Sequence, residues 1–167
     1  WADRLNKMDE VWVPTHFHRA IFVDAGVLNV HVVGEPVDIE RFTPDGPRYD
    51  IASDDFLVLS VFKWERRKGW DILLRAWHQA QINGILVIVT NAYHSTADFA
   101  RQMETYVTDS LKDDRGLAAL GKVKILSGLS DADLEALYRR ADLVALPTRG
   151  EGWGRPHVEA MASGTPI

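Results

Sequence analysis

An almost continuous apolar run, Phe56-Leu57-Val58-Leu59-Ser60-Val61, predicts a β-strand that is buried on both faces of a sheet. A second run of this kind, Ile85-Leu86-Val87-Ile88-Val89, follows a segment that begins at about Trp70 and has its apolar residues spaced for one face of a helix. Two buried strands separated by a helix predict a parallel pair that is joined by a right-handed crossover.

The same alternation of strands and helices continues along the chain. A helix is predicted at about residues 96–111, a strand at Val123–Leu126, a further helix after Ser130 and a last strand at residues 142–146. Repeated units of this kind are typical of an α/β fold, with a Rossmann-like doubly wound parallel sheet.

A separate strand–helix unit precedes this region. Val11-Trp12-Val13 predicts a short strand, and Thr15 is a suitable N-cap for the helix that follows. Residues 34–47 are rich in Pro and Gly, as expected of a linker or a long loop. We therefore predict a domain boundary between residues 1–28, the last strand–helix unit of one domain, and residues 29–167, an incomplete second domain.

The composition limits the classes of function that this chain can have. Its formal net charge of −5 argues against a surface for nucleic acid, because contacts with many phosphates need an excess of basic residues. The chain has no cysteine, which excludes disulfides and zinc–thiolate sites and leads us to expect the cytoplasmic side of the cell. No apolar run approaches the ~20 residues that span a bilayer.

Since the chain begins at Trp1 and stops at Ile167 in an apolar stretch, we expect a fragment cut at both ends.

A basic loop follows the strand at residues 56–61, at the end of the sheet where ligands of such folds bind. Four of the six positions from Lys63 to Lys68 are basic in an otherwise acidic chain. A diphosphate bound here would gain charge-assisted hydrogen bonds, and the N-terminus of the next helix would add its partial positive charge. Gly69 would let the backbone approach closely. A solvated basic loop without a ligand is the alternative.

A second polar cluster follows the last predicted strand, and it reads Glu151-Gly152-Trp153-Gly154-Arg155-Pro156-His157-Val158-Glu159. Pro156 suits the first turn of a helix, which puts Glu159 one turn into that helix and leaves Glu151 on the loop before it. Carboxylates accept hydrogen bonds from pairs of sugar hydroxyls, and the glycine-rich loop exposes backbone N–H groups to phosphate oxygens. Alternatively, Glu151 is only a charge before a helix N-terminus and Glu159 a solvated helical residue.

The two carboxylates and their neighbours resemble the signature of family-4 retaining glycosyltransferases, in which two Glu residues are separated by seven positions. After the second Glu, the resemblance continues in Ala160-Met161-Ala162-Ser163-Gly164-Thr165-Pro166. Residues 61–76 are similar to the family's motif of strand, basic residue, Lys-Gly and amphipathic helix, and residues 34–44 are similar to its interdomain segment. This chain departs from the family in having Lys63 where arginine is usual and Glu35-Pro36 where many members carry Asn-Gly.

The resemblance implies a fold and a set of site residues. Residues 29–167 would be an incomplete C-terminal donor-binding domain of a two-domain GT-B enzyme, preceded at residues 1–28 by the last strand–helix unit of the N-terminal acceptor domain. Glu159 would hold the ribose hydroxyls of the donor nucleotide, and Glu151 would contact the donor sugar. Lys68 would bind the diphosphate, with Lys63 as a second cation. Backbone N–H groups would face the sugar and the phosphates from Gly152, Trp153 and Gly154.

The resemblance also implies a reaction, the transfer of a hexose from a nucleoside-diphosphate sugar to an unknown acceptor with retention of anomeric configuration. Glu151, Lys68 and Lys63 would take part in it, while no protein nucleophile is identified. Neither a metal ion nor another cofactor is expected. The fragment alone would be inactive, because the acceptor half of the cleft would be missing. The alternative is a non-catalytic nucleotide-sugar-binding module with the same fold.

Overall fold

The computed structural model describes residues 1–91, 98–111 and 122–167, and the chain divides into two compact units, Trp1–Pro36 and Val37–Ile167. The elements of the first unit are α1 (Ala2–Leu5), β1 (Val11–Val13), α2 (His16–Asp24) and β2 (Val30–Val32). The described elements of the second unit are β3 (Phe56–Val61), a 3-10 turn (Arg66–Lys68), α3 (Trp70–Ala80), β4 (Gly84–Val89), α4 (Phe99–Tyr106) with a π-helical continuation (Val107–Leu111), β5 (Val123–Leu126), α5 (Asp131–Arg140), β6 (Leu143–Val144) and α6 (Arg155–Ala162).

The first unit contains a parallel strand pair with a connecting helix. β1 and β2 pair with Val11 opposite Val30, and α2 lies between them in the chain. Thr15 caps α2, because its hydroxyl accepts a hydrogen bond of 3.1 Å from the backbone N–H of His18. The predicted strand and its capped helix are therefore confirmed.

The division between the two units lies after Pro36, whereas the sequence predicts a boundary after residue 28. The reason for the difference is the pairing of β2 with β1, which holds residues 30–32 in the first unit. The assignment of the two units to an acceptor domain and a donor domain stays a prediction.

Four parallel strands form the sheet of the second unit, in the order β5-β4-β3-β6. The chain proceeds outward from β3 through β4 to β5 and then returns to the other side of β3 as β6. The strand order therefore reverses between β3 and β6. In parallel α/β sheets such a reversal leaves a crevice at the carboxyl ends of the two strands, and ligands bind there. We call this place the β3–β6 crevice.

Both faces of this sheet are buried. Leu57 and Leu59 of β3 belong to a core cluster that includes Tyr138 of α5 and Ala160 of α6. Val58, which points to the opposite face, belongs to a second cluster with residues of α3 and α4. Helices therefore cover the sheet from both sides, and the prediction of a doubly wound parallel sheet is confirmed.

Two helices of the second unit begin where the sequence predicts them. α3 begins at Trp70, and its residues Leu73, Leu74 and Trp77 are buried, whereas Ile72 is 42% exposed, so only part of the expected apolar face is buried. α5 begins after Ser130, whose hydroxyl accepts a hydrogen bond of 3.1 Å from the N–H of Asp133. The side-chain cap fixes the start of this helix because it satisfies a backbone donor that has no partner within the helix.

Two other elements differ from the prediction in length. α4 begins at Phe99, and the predicted start of this helix at residue 96 lies outside the described residues. β6 contains two residues, Leu143–Val144, instead of the predicted residues 142–146. Hydrogen bonds to β3 flank this short strand, since the N–H groups of Asp142 and Ala145 donate to the carbonyls of Leu57 and Leu59 over 2.9 Å each.

Gly69 joins the 3-10 turn to α3 in a left-handed conformation, with φ at 76°. A Cβ atom at this position would overlap the carbonyl oxygen of Pro147 in the loop after β6. Both facts favour glycine, since other residues strain in this conformation and would displace the neighbouring backbone. The sequence analysis expects a ligand beside Gly69, but its close neighbour is a loop of the same chain.

We expect Gly69→Ala to lower the free energy of unfolding of the complete protein by about 2–4 kcal/mol, because the left-handed backbone and the overlap with Pro147 both add strain. Gly150→Ala is a matched control, since a Cβ atom at Gly150 has no neighbour within 4 Å. Urea denaturation of both variants measures the difference. Equal stabilities of the two variants would show that these loops do not pack as described.

Candidate functional site

The loops that follow β3 and β6 meet at the β3–β6 crevice, and hydrogen bonds to the main chain join them. The N–H of Arg149 donates to the carbonyl of Arg67 over 2.8 Å. The hydroxyl of Thr148 donates to the same carbonyl over 3.3 Å. Side chains of the 3-10 turn and of the loop after β6 are therefore held next to each other.

Lys68 and Glu151, two of the predicted site residues, form an ion pair in this crevice. The ammonium Nζ of Lys68 lies 2.6 Å from Oε1 and 2.8 Å from Oε2 of Glu151, so it donates to both oxygens. The two side chains are only 15% and 20% exposed. Residues that are 83 positions apart in the sequence thus come into contact at the reversal of the strand order.

Arg67 provides a second cation at the same carboxylate. Its NH1 atom lies 3.3 Å from Oε2 of Glu151, and its NH2 atom lies 2.7 Å from Oε1 of Glu65. The run of basic residues from Lys63 to Lys68 does not by itself indicate whether Arg66 or Arg67 adds to the site. In the structure the guanidinium of Arg67 contacts Glu151, whereas that of Arg66 lies against the first turn of α3.

Burial and the neighbouring donors have opposite effects on the pKa of Glu151. Burial is the largest of them and raises the pKa of Glu151, because a charged carboxylate loses hydration. The hydrogen bond and the positive charge of Lys68, together with hydrogen bonds from Thr148 and Arg67, outweigh burial and hold this pKa below its ordinary value. Glu151 is therefore ionised at neutral pH, and a bound phosphate would compete with it for Lys68.

Three other predicted site residues lie on the same two loops. Lys63 is exposed in the loop that follows β3. Gly152 is exposed as well, and the space where its Cβ atom would lie is empty within 4 Å. Trp153 is half-buried, and its indole Nε1 is buried without a hydrogen-bond partner among the described residues. The backbone at Gly152 is therefore open to a ligand, whereas Trp153 packs into the protein.

Gly154 and Pro156 set the start of α6 as the sequence predicts. Gly154 is the N-cap residue and has a left-handed backbone with φ at 83°, and Pro156 lies in the first turn. A Cβ atom at Gly154 would come within 2.7 Å of Nδ1 of His157, so the ring of His157 packs against the helix start. The glycine is thus required by both conformation and packing.

Glu159 lies in α6 and is only 8% exposed. The phenol of Tyr138 donates a hydrogen bond of 3.0 Å to its Oε2, and Nε of Arg155 lies 3.7 Å from its Oε1. Burial, followed by the negative charge of Glu159, raises the pKa of Tyr138 above its ordinary value, so the phenol keeps its proton and remains a donor. The alternative that Glu159 is a solvated helical residue is therefore wrong.

Three residues that hold these groups in place were not predicted from the sequence, namely Tyr138, Asp71 and Arg149. Tyr138 is fully buried under Glu159 from a position 21 residues earlier. Asp71, in the first turn of α3, binds the guanidinium of Arg149 through two hydrogen bonds of 2.8 and 2.7 Å. These bonds are the largest influence on Asp71 and lower its pKa against the opposing effect of burial. Neither pairing has a sequence signal, because the partners are far apart in the chain.

Within the described ranges 1–91, 98–111 and 122–167, no three His, Asp or Glu side chains converge closely enough to hold a metal ion. The absence of a metal from the reaction stays a prediction. Within the same ranges, no helix has the length and apolar character needed to cross a membrane.

Comparison with known proteins finds a matching family and several similar proteins. The family described as glycosyl transferases group 1 matches residues 45–167. D-inositol 3-phosphate glycosyltransferase of Mycolicibacterium smegmatis is 34% identical over 143 residues, which are 83% of this chain and 31% of that protein. The enzyme of the same name from Mycobacterium tuberculosis (strain F11) is 32% identical over 99% of this chain and 33% of that protein. The chain thus spans about one third of the length of these curated relatives.

Solved structures give the same result for the fold. Anabaena Alr3699/HepE in complex with UDP-glucose superposes with a TM-score of 0.77 at 21% identity, over 99% of this chain and 46% of that one. Sucrose-phosphate synthase from Thermosynechococcus elongatus superposes with a TM-score of 0.75 at 23% identity, over 98% of this chain and 41% of that one. The predicted Rossmann-like fold of the GT-B type is therefore confirmed.

Proposed function

Because this chain belongs to the glycosyl transferases group 1 family, we propose that the complete protein transfers a hexose from a nucleoside-diphosphate sugar to an acceptor, with retention of anomeric configuration and without a metal ion. The observation that carries the proposal is the contact of Lys68 with Glu151 in the β3–β6 crevice. It joins a cation suited to a diphosphate with a carboxylate suited to sugar hydroxyls, at the place where parallel α/β sheets bind ligands.

Lys68 binds the diphosphate of the donor in this proposal, with Arg67 beside it and Lys63 at the start of the loop. When the bond between the anomeric carbon and the diphosphate oxygen breaks, negative charge develops on the leaving nucleoside diphosphate. Lys68 and Arg67 stabilise that charge because both already lie within hydrogen-bond range of one carboxylate. A single well-placed donor of this kind contributes about 3–4 kcal/mol to the stability of a transition state.

The two carboxylates have separate parts in the proposal. Glu151 is released from Lys68 when the diphosphate binds, and it then accepts hydrogen bonds from the hydroxyls of the donor sugar. Glu159 accepts hydrogen bonds from the ribose hydroxyls at Oε1, because Tyr138 already occupies Oε2. The open backbone at Gly152, with that of Trp153 and Gly154, donates N–H groups to the sugar and the phosphates.

The donor class has support from a structural relative. HepE was solved in complex with UDP and with UDP-glucose, and its fold superposes on 99% of this chain.

The proposed reaction exchanges one bond for another at the anomeric carbon. The bond to the diphosphate oxygen breaks, an acceptor oxygen forms the new bond on the same face, and the acceptor proton leaves with the diphosphate or with solvent.

A transfer assay of the complete protein tests this proposal. A panel of nucleoside-diphosphate sugars is screened by thermal shift, and those that stabilise the protein are incubated with candidate acceptors in buffer that contains EDTA. Proton NMR then shows the anomeric configuration of the product. We expect turnover of at least one donor, with the configuration of the donor preserved. Donor binding without any turnover would favour the non-catalytic module, and an inverted product would contradict retention.

A further inference from the structure

Arg149 lies two residues before Glu151 and connects its loop to α3. Its guanidinium binds both oxygens of Asp71 in a fork-to-fork arrangement, and its NH1 atom also donates to the carbonyl of Arg66 over 2.6 Å. The backbone N–H of Arg149 donates to the carbonyl of Arg67. One residue therefore contacts both the main chain of the 3-10 turn and the first turn of the helix that follows.

Within the Arg149–Asp71 pair, the carboxylate of Asp71 is buried. Asp71 is 6% exposed, and it lies at the N-terminal turn of α3, where the partial positive charge of the helix favours a negative side chain. A planar guanidinium that meets a carboxylate through two parallel hydrogen bonds fixes both the distance and the relative orientation of the two chain segments. A lysine in the same place would supply the charge without that orientation.

We propose that the Arg149–Asp71 pair is a positioning device that holds the two loops carrying Glu151 and Lys68 in the arrangement that donor transfer requires. Lys68 lies three residues before Asp71, and Glu151 lies two residues after Arg149. The pair therefore fixes the backbone on both sides of the Lys68–Glu151 contact. The role in transfer rests on the proposed function, whereas the effect on the Lys68–Glu151 geometry does not.

Glu159 provides a contrast within the same crevice. Its position depends on α6 and on the phenol of Tyr138, and neither of these contacts involves Arg149 or Asp71. A change at the Arg149–Asp71 pair should therefore disturb the diphosphate and the sugar, and leave the ribose contact intact. A displacement of about 1 Å at reacting groups is enough to cost a factor of about 100 in rate.

The test compares Arg149→Lys and Asp71→Asn, which keep the size of the side chains, in the complete protein. We expect each variant to lower kcat by about tenfold or more, while the Kd for a nucleoside monophosphate changes by less than about twofold. In a Glu151→Gln background, the further loss of kcat from Arg149→Lys should be smaller than in the unmodified protein, because both changes act on the carboxylate of Glu151. Additive losses, or a lower Tm with unchanged kcat, would overturn the proposal and leave only a structural role.

Arg140→Gln serves as the matched control for loss of a structural arginine. Arg140 donates to the carbonyls of Ser53 and Asp55 over 2.9 and 3.1 Å, so it also ties a loop to the fold, at a place where no site residue has been assigned. We expect a lower Tm and an unchanged kcat for this control. A fall in kcat as large as that of Arg149→Lys would show that the effect is not specific.

A crystal structure of the Arg149→Lys variant separates a failure of this inference from a failure of the proposed function. The distance from Nζ of Lys68 to Glu151 should increase beyond hydrogen-bond range in the variant, whether or not the protein transfers a sugar. If that contact stays intact at 2.6–2.8 Å, the positioning role is excluded even for an active enzyme. If the contact is lost in a protein that binds no donor, the positioning role holds and the proposed function fails.

Discussion

Glu159→Ala is expected to weaken the binding of a nucleoside diphosphate to the complete protein by tenfold or more, which is about 1.4 kcal/mol. Glu159 is 8% exposed, and one of its oxygens is already held by the phenol of Tyr138. Hydrogen bonds from ribose hydroxyls to a charged acceptor contribute about 1.5–3 kcal/mol each, and their donors would be left without partners in the variant. Isothermal titration calorimetry with a nucleoside diphosphate measures the loss.

Glu135→Ala is the matched control for this first prediction. Glu135 lies on α5 and pairs with Arg41 over 2.9 Å, so the same substitution removes an ion-paired glutamate that the account does not assign to the donor. Its affinity for the nucleoside diphosphate should be that of the unmodified protein. Unchanged affinity in a correctly folded Glu159→Ala variant would remove Glu159 from the nucleotide site.

Lys68→Ala is expected to weaken the binding of a nucleoside diphosphate, whereas Glu151→Gln is expected not to weaken it. Lys68→Ala removes a cation of the proposed diphosphate site and should weaken binding by about tenfold or more. Glu151→Gln removes the carboxylate that Lys68 contacts over 2.6 and 2.8 Å, so the diphosphate no longer competes for this cation. Binding of the nucleoside diphosphate should then be equal or tighter, while transfer falls by about 100-fold or more because the contact with the sugar is lost.

Lys122→Ala controls for a simple loss of positive charge. Lys122 is exposed before β5, and its Nζ atom lies 3.4 Å from Oδ1 of Asn83, so the substitution changes the net charge at a place without an assigned site residue. Calorimetry and a transfer assay of all three variants complete the comparison. If Glu151→Gln weakens nucleoside diphosphate binding as much as Lys68→Ala does, the ion pair holds the loops together and does not compete with the donor.

The strands of the second unit could be predicted from the sequence because buried parallel strands are apolar on both faces. The run at residues 56–61 is the clearest example, and it forms β3 at the centre of the sheet. The order β5-β4-β3-β6 was not specified by any local pattern, since each strand alone has the same apolar character. The β3–β6 crevice therefore became identifiable only from the pairing of the strands.

The site was predictable in its residue types and less so in its contacts. Gly154 and Pro156 fix the start of α6, so the positions of Glu151 and Glu159 relative to that helix could be predicted from local rules. Burial of Glu159 could not, because the phenol that accompanies it comes from α5. The choice of Arg67 as the second cation at Glu151 also depends on the geometry of the 3-10 turn, which a run of basic residues does not determine.

The most direct test of the proposed donor site in the β3–β6 crevice is a comparison of two affinities. Calorimetry of the complete protein in EDTA measures the binding of a nucleoside diphosphate and of the corresponding monophosphate. In the proposed site, Lys68 and Arg67, which both contact Glu151, would supply the charge that a second phosphate meets, and the buried Glu159 would hold the ribose in both ligands. We predict one bound nucleoside diphosphate per chain, with an affinity about tenfold or more above that of the monophosphate. Equal affinities for the two ligands, or no binding of either by any nucleotide tested, would contradict this account.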